Sequence, residues 1–242
     1  MRRAVVIAQR EFSSLFRVPV GWVVISLYLF MTGVLFVGLI AKPGSIATMS
    51  TLFSVSAWLL LPIAPAISMR LFAEETRLGT IEPLMTCPVS DVSVVLGKFL
   101  GACAFLVAMF APTGLYVAIL HVISNPAPDP GPIIAGYASV VLLGMFYISL
   151  GMLVSSLTSN QTLAYLGALL TLLLILIATE TLSNMDLVTD QVKQILYALS
   201  IPARLRDFAD GLIDTTHIVF FCSVTVLMLV LTTLSLESRR WR

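Results

Sequence analysis

Glu74, Glu75, Arg77 and Glu82 place four ionisable side chains within a short stretch of an otherwise apolar 242-residue chain. Paired carboxylates followed by an arginine first suggest hydrolysis. One class of intramembrane protease uses Glu-Glu-x-x-x-Arg with histidines on later helices. Here the arginine follows Glu75 by two residues, and the required position is Gly79. The two histidines, His121 and His217, fall near the opposite face, and no His-Glu-x-x-His is present. Gly97-Lys98-Phe99 lacks the upstream glycine and the Ser/Thr of a phosphate-binding loop. Cys87, Cys103 and Cys222 show neither metal-ligand spacing nor a disulfide framework. Proton or ion coupling would call for ionisable groups deep in the bilayer, and the apolar runs carry none near their middles. No catalytic, cofactor-binding or metal site is therefore expected in this chain, and it is not expected to be an enzyme.

What remains for these charges is contact. They belong to a polar island, Arg70 to Val89, with Leu71, Phe72, Leu78 and Ile81 on one apolar side. Gly79 and Pro83 interrupt any helix formed there, and Pro88 closes it. A short, stiff, charged segment between two membrane helices suits docking onto something in the aqueous phase. A simple solvated loop is the plainer alternative, and the residues by themselves leave both open.

Composition fixes the setting. The chain is 58% hydrophobic and 11% charged, with a mean hydropathy of +1.00, where a soluble domain carries roughly 25% charged residues. An integral membrane protein of one domain, 1–242, follows. The net charge of +1, without a basic patch interleaved with aromatics, gives no reason to expect nucleic acid.

The elements that must position the island can be read in order. Residues 2–17 form an amphipathic helix with Arg3, Arg10, Ser14 and Arg17 on one face and Val5, Ala8, Phe12 and Leu15 on the other. Such a helix lies in the membrane interface with its arginines toward lipid headgroups, and the long apolar run after it argues against a signal peptide. Val18–Ile40 and Leu52–Met69 are the first two spans, and Pro62 and Pro65 should kink the second. The third runs from about Val94 to Ile123, broken by Pro112; Ile133–Leu157, Leu163–Thr179 and Ile218–Leu236 complete six. The 180–217 segment has apolar residues at helical spacing on both sides of Pro202 and predicts two short amphipathic helices at the membrane surface. Gly97 with Gly101, and Gly144 with Gly151, allow close helix approach, and the serines and threonines within spans are read mainly as packing contacts.

With the N-terminus inside, the inner segments hold Arg2, Arg3, Arg10, Arg17, Arg70, Arg77, Lys98, Arg239, Arg240 and Arg242. The outer segments hold only Lys42, Lys193, Arg204 and Arg206. The positive-inside rule then puts both termini and the polar island (coupling region 70–93) in the cytoplasm, and 180–217 outside.

Phe72-Ala-Glu-Glu-Thr-Arg-Leu-Gly-Thr-Ile-Glu-Pro-Leu-Met-Thr-Cys-Pro-Val89, followed by Val95-Leu-Gly-Lys-Phe-Leu-Gly101, closely resembles the region between the second and third helices of ABC-2 type transporter permeases. Phe208-Ala-Asp-Gly-Leu-Ile-Asp214 and the ending Leu-Ser-Leu-Glu-Ser-Arg-Arg-Trp241 look most like the gliding-motility-type subgroup. The resemblance implies an all-α, six-span ABC-2 (type V exporter-like) transmembrane domain in a cell inner membrane. It also implies a half-transporter that pairs with a second copy or a related permease, above two copies of a cytoplasmic ABC ATPase that bind ATP and Mg. The island would hold the coupling helix, with Glu74, Glu75, Arg77 and Glu82 as polar contacts, Leu78, Ile81 and Leu84 as apolar anchors, and Gly79-Thr80 at the bend. The 180–217 segment would gate the outer exit or bind an auxiliary extracytoplasmic subunit. Two other readings remain: a permease-like scaffold that transmits mechanical or assembly work, and a secondary transporter or channel, which the missing midplane charges disfavour.

Overall fold

The computed structural model describes residues 2–40, 48–79, 90–124, 127–183, 200–201, 204–205, 208 and 214–240. All regular structure among them is helical. An amphipathic helix α1 (Arg2–Arg17) leads into α2 (Pro19–Leu35), which ends in a wider turn over Phe36–Ile40. Then come α3 (Ser50–Leu78), α4 (Asp91–Phe110), α5 (Gly114–Ile123), α6 (Pro130–Leu157), α7 (Gln161–Ser183) and α8 (Thr215–Arg240).

Among the described residues six candidate spans are long and apolar enough to cross a membrane: Pro19–Gly38, Ser50–Leu78, Asp91–Ile123, Pro130–Leu157, Gln161–Thr179 and Thr215–Ser238. The chain is a multi-pass membrane protein. Pro112 does interrupt the third span, where Ala111–Thr113 tightens into a 3-10 turn between α4 and α5. A proline lacks the N–H that the α-helical ladder requires, so the tighter turn is a local remedy. Pro62 and Pro65 instead lie inside α3, which stays helical through both.

The core has an inner set and an outer set of helices. The spans formed by α3, by α4 with α5, and by α6 are mostly buried, whereas those of α2, α7 and α8 are mostly exposed. Helix α6 is central and packs against α3, α4, α7 and α8. Small residues make this possible, since helices in lipid associate through close van der Waals contact rather than through a hydrophobic drive. A Cβ at Gly151 would fall on Ser68 Oγ, one at Gly136 on the Phe53 ring, and one at Gly144 on the Leu106 side chain.

The span polar residues mostly serve packing. Tyr28 and Ser56 share a hydrogen bond of 2.9 Å between α2 and α3, Thr113 and Tyr137 one of 2.9 Å, and Ser156 donates to Ser235 at 3.0 Å. Ser149 is bonded to the Phe146 carbonyl, while Ser54 and Thr171 are exposed and bonded to their own helices. At the start of α8, Asp214 accepts from the Thr216 N–H at 2.8 Å, which holds its carboxyl below the usual range. Most of 180–217, where two surface helices are expected, lies outside the described residues. Of the part described, Arg204 reaches His217 Nδ1 at 2.7 Å and stacks over the Phe220 ring at 4.0 Å.

Candidate functional site: a buried ion cluster at the charged end of the bundle

Helix α3 does not stop where its apolar run stops. It continues from Met69 through Arg70–Leu78 and ends at Gly79, whose φ of 69° is left-handed and whose N–H closes back on the last turn. Glycine suits this C-terminal cap because a Cβ is disfavoured at positive φ. The first half of the polar island is thus the last two turns of a membrane helix. Two pairings explain why charged residues can extend it. Arg70 sits four residues before Glu74 and forks onto its carboxylate, with Nε to Oε2 at 2.7 Å and Nη2 to Oε1 at 2.8 Å. Glu75 turns inward.

There it meets Lys98, whose side chain is only 1% exposed. The Lys98 ammonium donates to Glu75 Oε1 at 2.8 Å and to Glu11 Oε1 at 2.8 Å. Arg10 adds a longer contact to Glu75 at 3.3 Å and lies 3.6 Å from Glu11. Helices α1, α3 and α4 are therefore tied at one point by a buried cation between two carboxylates. A buried charge persists only where opposite charges and hydrogen bonds replace its lost hydration, and this geometry supplies both. The ammonium also lies 5.4 Å from the Phe72 ring centroid.

Close packing brings Glu11 to Lys98. A Cβ at Gly97 would sit 2.8 Å from the Ala4 carbonyl, and one at Gly101 2.8 Å from the Ala8 carbonyl. The backbone of α1 thus lies directly on α4 across two glycines spaced one turn apart. Phe16 packs on Phe105 with ring centroids 5.1 Å apart, and the Trp22 indole N–H donates to the Phe16 carbonyl at 2.8 Å across the α1–α2 bend.

The packed face of α1 keeps Ala8, Phe12 and Leu15 of the one expected but is rotated away from Val5. Leu15 is buried and Phe12 half-buried, but Val5 and Val6 are exposed, at 61% and 67%. Ala4, Ile7 and Glu11 face α4 together with Ala8. The reason is the glycine pair, which admits the small residues of α1 and rotates the helix accordingly. Arg10 and Arg17 are exposed, and the Arg3 side chain lies outside the described residues.

One turn along α3, a second clasp holds the helix to α6. Ser155 Oγ accepts from the Ala73 N–H at 3.0 Å and donates to the Met69 carbonyl at 2.9 Å. Met69 and Ala73 are an i, i+4 pair, so the hydroxyl inserts into the helix's own backbone ladder, an arrangement associated with helix bending.

The residues singled out in the sequence therefore divide. Glu74 and Glu75 are engaged within the chain. Arg77, Leu78 and Gly79 form the exposed tip of α3, with Leu78 61% exposed. Thr80, Ile81, Glu82 and Leu84, expected to continue the docking segment, lie outside the described residues. Glu11, Lys98 and Ser155 were not foreseen as partners of this stretch. Lys98, a few residues inside an apolar run and flanked by Gly97 and Gly101, carried a signal: a cation there needs an anion. Glu11, one turn from Ile7 and Ala8, was the residue to supply it. Among the described residues no cluster of three metal-ligating side chains occurs.

Comparison with known proteins agrees with this architecture. The profile described as "ABC-2 family transporter protein" matches residues 42–202, which is most of the chain. The chain belongs to the ABC-2 transporter family. It is also 30% identical over 95 residues to the "Probable multidrug ABC transporter permease YbhR" of Escherichia coli K12, and equally to that of Escherichia coli O157:H7. Each alignment covers 39% of this chain and 25% of the relative, so the match spans about a quarter of the length of those relatives.

Proposed function

We propose that this chain is the membrane-spanning subunit of an ATP-driven exporter whose ATPase is a separate cytoplasmic chain, docked on the stretch beginning at Arg77. The observation that carries this reading is the continuity of α3. One continuous helix runs from the bundle core, through the buried Lys98 cluster, to an exposed end at Arg77-Leu78-Gly79. Motion imposed on that end has a direct path into the membrane region. Membership of the ABC-2 family supports an ATPase partner and a second permease copy, or a related permease, beside this one. ATP and Mg would be bound by the ATPase and not by this chain. The excess of lysine and arginine on one side supports cytoplasmic termini and an inner-membrane location. The apolar spans and the multidrug wording of the relatives' name favour an amphipathic cargo. The Phe208–Asp214 segment and the chain ending support the gliding-motility-type subgroup within the family.

The geometry determines how to test the docking. Reversing Glu75 would break the Lys98 cluster, so its effects would mix folding with binding. Arg77→Glu with Leu78→Asp alters the exposed tip and leaves the ion pairs of the Lys98 cluster in place. A tagged chain purified in mild detergent from its native membrane should bring down a P-loop ATPase, detected by mass spectrometry, and the tip variant should lose it. Absence of any ATPase across several detergents, or solute flux through the purified chain without ATP, would overturn the reading.

A further inference from the structure

We propose that the charged end holds a binding site for one anionic phospholipid headgroup, in the cavity between α1 and the end of α3. The cavity has a volume of about 400 Å³, and α1 lines it with Arg10, Ser14 and Arg17. These residues recur at helical spacing along one side. Arg70 faces them from α3, and Lys98 contributes from α4. Four cations thus meet three carboxylates, Glu11, Glu74 and Glu75. Glu74 is forked by Arg70, and Glu11 and Glu75 share Lys98 and Arg10. Arg17 is the cation left over. Among the described residues neither its guanidinium nor the Ser14 hydroxyl has a hydrogen-bond or ion-pair partner, and both are exposed and line the cavity. A guanidinium and a hydroxyl one turn apart present several donors to an acceptor anion, and a phosphate diester fits that chemistry.

Position decides for lipid over a soluble phosphate or an acidic protein surface. Arg17 is the last residue of α1, and Pro19 opens the first span, so the site lies at the membrane boundary. Trp22, one turn further in, is an interfacial aromatic. From there the outer face of α2 exposes Trp22, Val23, Leu27, Phe30 and Val34, a continuous apolar lane for acyl chains. Leu78, at the exposed tip of α3, also lines the cavity, so the lipid site adjoins the proposed ATPase contact, whereas Arg77 lies outside the lining.

The test uses the full chain in detergent, titrated with dioleoylphosphatidylglycerol, dioleoylphosphatidylcholine or inorganic phosphate. Thermal stability and lipid retention in native mass spectrometry are the readouts. One phosphatidylglycerol should be retained and should raise the melting temperature, while phosphatidylcholine should do neither. Arg17→Gln should weaken the phosphatidylglycerol response by about tenfold and Ser14→Ala by less. Arg77→Gln, an equal loss of charge outside the cavity, should leave the response intact. Equal losses in Arg17→Gln and Arg77→Gln would reduce the effect to general surface charge and overturn the site. A phosphatidylcholine response equal to that of phosphatidylglycerol, or the same stabilisation by inorganic phosphate alone, would overturn the anionic-lipid assignment. Loss of ATPase co-purification in Arg17→Gln with unchanged lipid retention would assign the cavity to the protein partner instead.

Discussion

Helix α3 passes through two regions that hold it by different means. From Ser50 to Met69 it is clasped by α6 through shape, with Ser68 against Gly151, Phe53 against Gly136, and no formal charge at these contacts. From Arg70 to Glu75 charge is added to the packing: Leu71, Phe72 and Ala73 stay buried, Glu75 pairs with Lys98 of α4, and Arg70 forks onto Glu74 within the same helix. Ser155 stands at the border between them, bonded to the backbone of Met69 and Ala73. Neutral close packing admits one arrangement, because a small displacement produces overlap or a void. Ion pairs can exchange partners at small displacement, and Arg10 already lies within 3.6 Å of Glu11 and 3.3 Å of Glu75. The lesson is a division of labour along a single helix: one part held by shape alone, and one part where ion pairs that can exchange partners are added to the packing.

Breaking the charged region at its centre should have the largest effect. Lys98→Met removes the buried cation shared by Glu11 and Glu75 and should cost about 3–5 kcal/mol, read as a lowered unfolding midpoint in detergent. Adding Glu11→Gln and Glu75→Gln should restore much of it, because no buried charge is then unpaired. The neutral region should respond less strongly but without rescue by charge. Gly151→Ala puts a methyl group on Ser68 Oγ and should cost about 1–3 kcal/mol, with Ser68→Gly compensating in part. The smallest effect belongs to the partly buried pair within α3: Arg70→Gln should cost at most about 1 kcal/mol, with its difference from the wild type shrinking at high salt. A salt response in the Gly151 variant equal to that of the Arg70 variant would erase the distinction between the two regions.

The sequence made the apolar architecture legible because span length and hydrophobic runs are direct consequences of the bilayer. The break at Pro112 and the close approaches at Gly97, Gly101, Gly144 and Gly151 were legible for the same reason: each follows from one residue's missing atoms. The polar island was harder. Its charges look solvated when counted, and only three-dimensional neighbours show that Glu75 is nearly enclosed and Glu74 already satisfied. Lys98 was read as one more positive residue near an inner loop, although its place inside an apolar run asked for a partner. Glu11 lay among arginines, where a carboxylate is easily read as local compensation. Periodicity on α1 gave the helix and most of its apolar face but not its rotation toward Ala4, Ile7 and Glu11, since Gly97 and Gly101 on a different helix select which residues approach.

The most direct test of the central claim separates the tip of α3 from the cluster behind it. Glu75→Gln and the double variant Arg77→Glu, Leu78→Asp would each be compared with the wild type for unfolding midpoint and for ATPase recovered per folded chain. The account predicts that Glu75→Gln lowers the midpoint while the folded fraction still recovers the ATPase, and that the tip variant keeps the midpoint and loses the ATPase. A tip variant that keeps both would contradict it, and the docking surface would have to lie elsewhere on the chain.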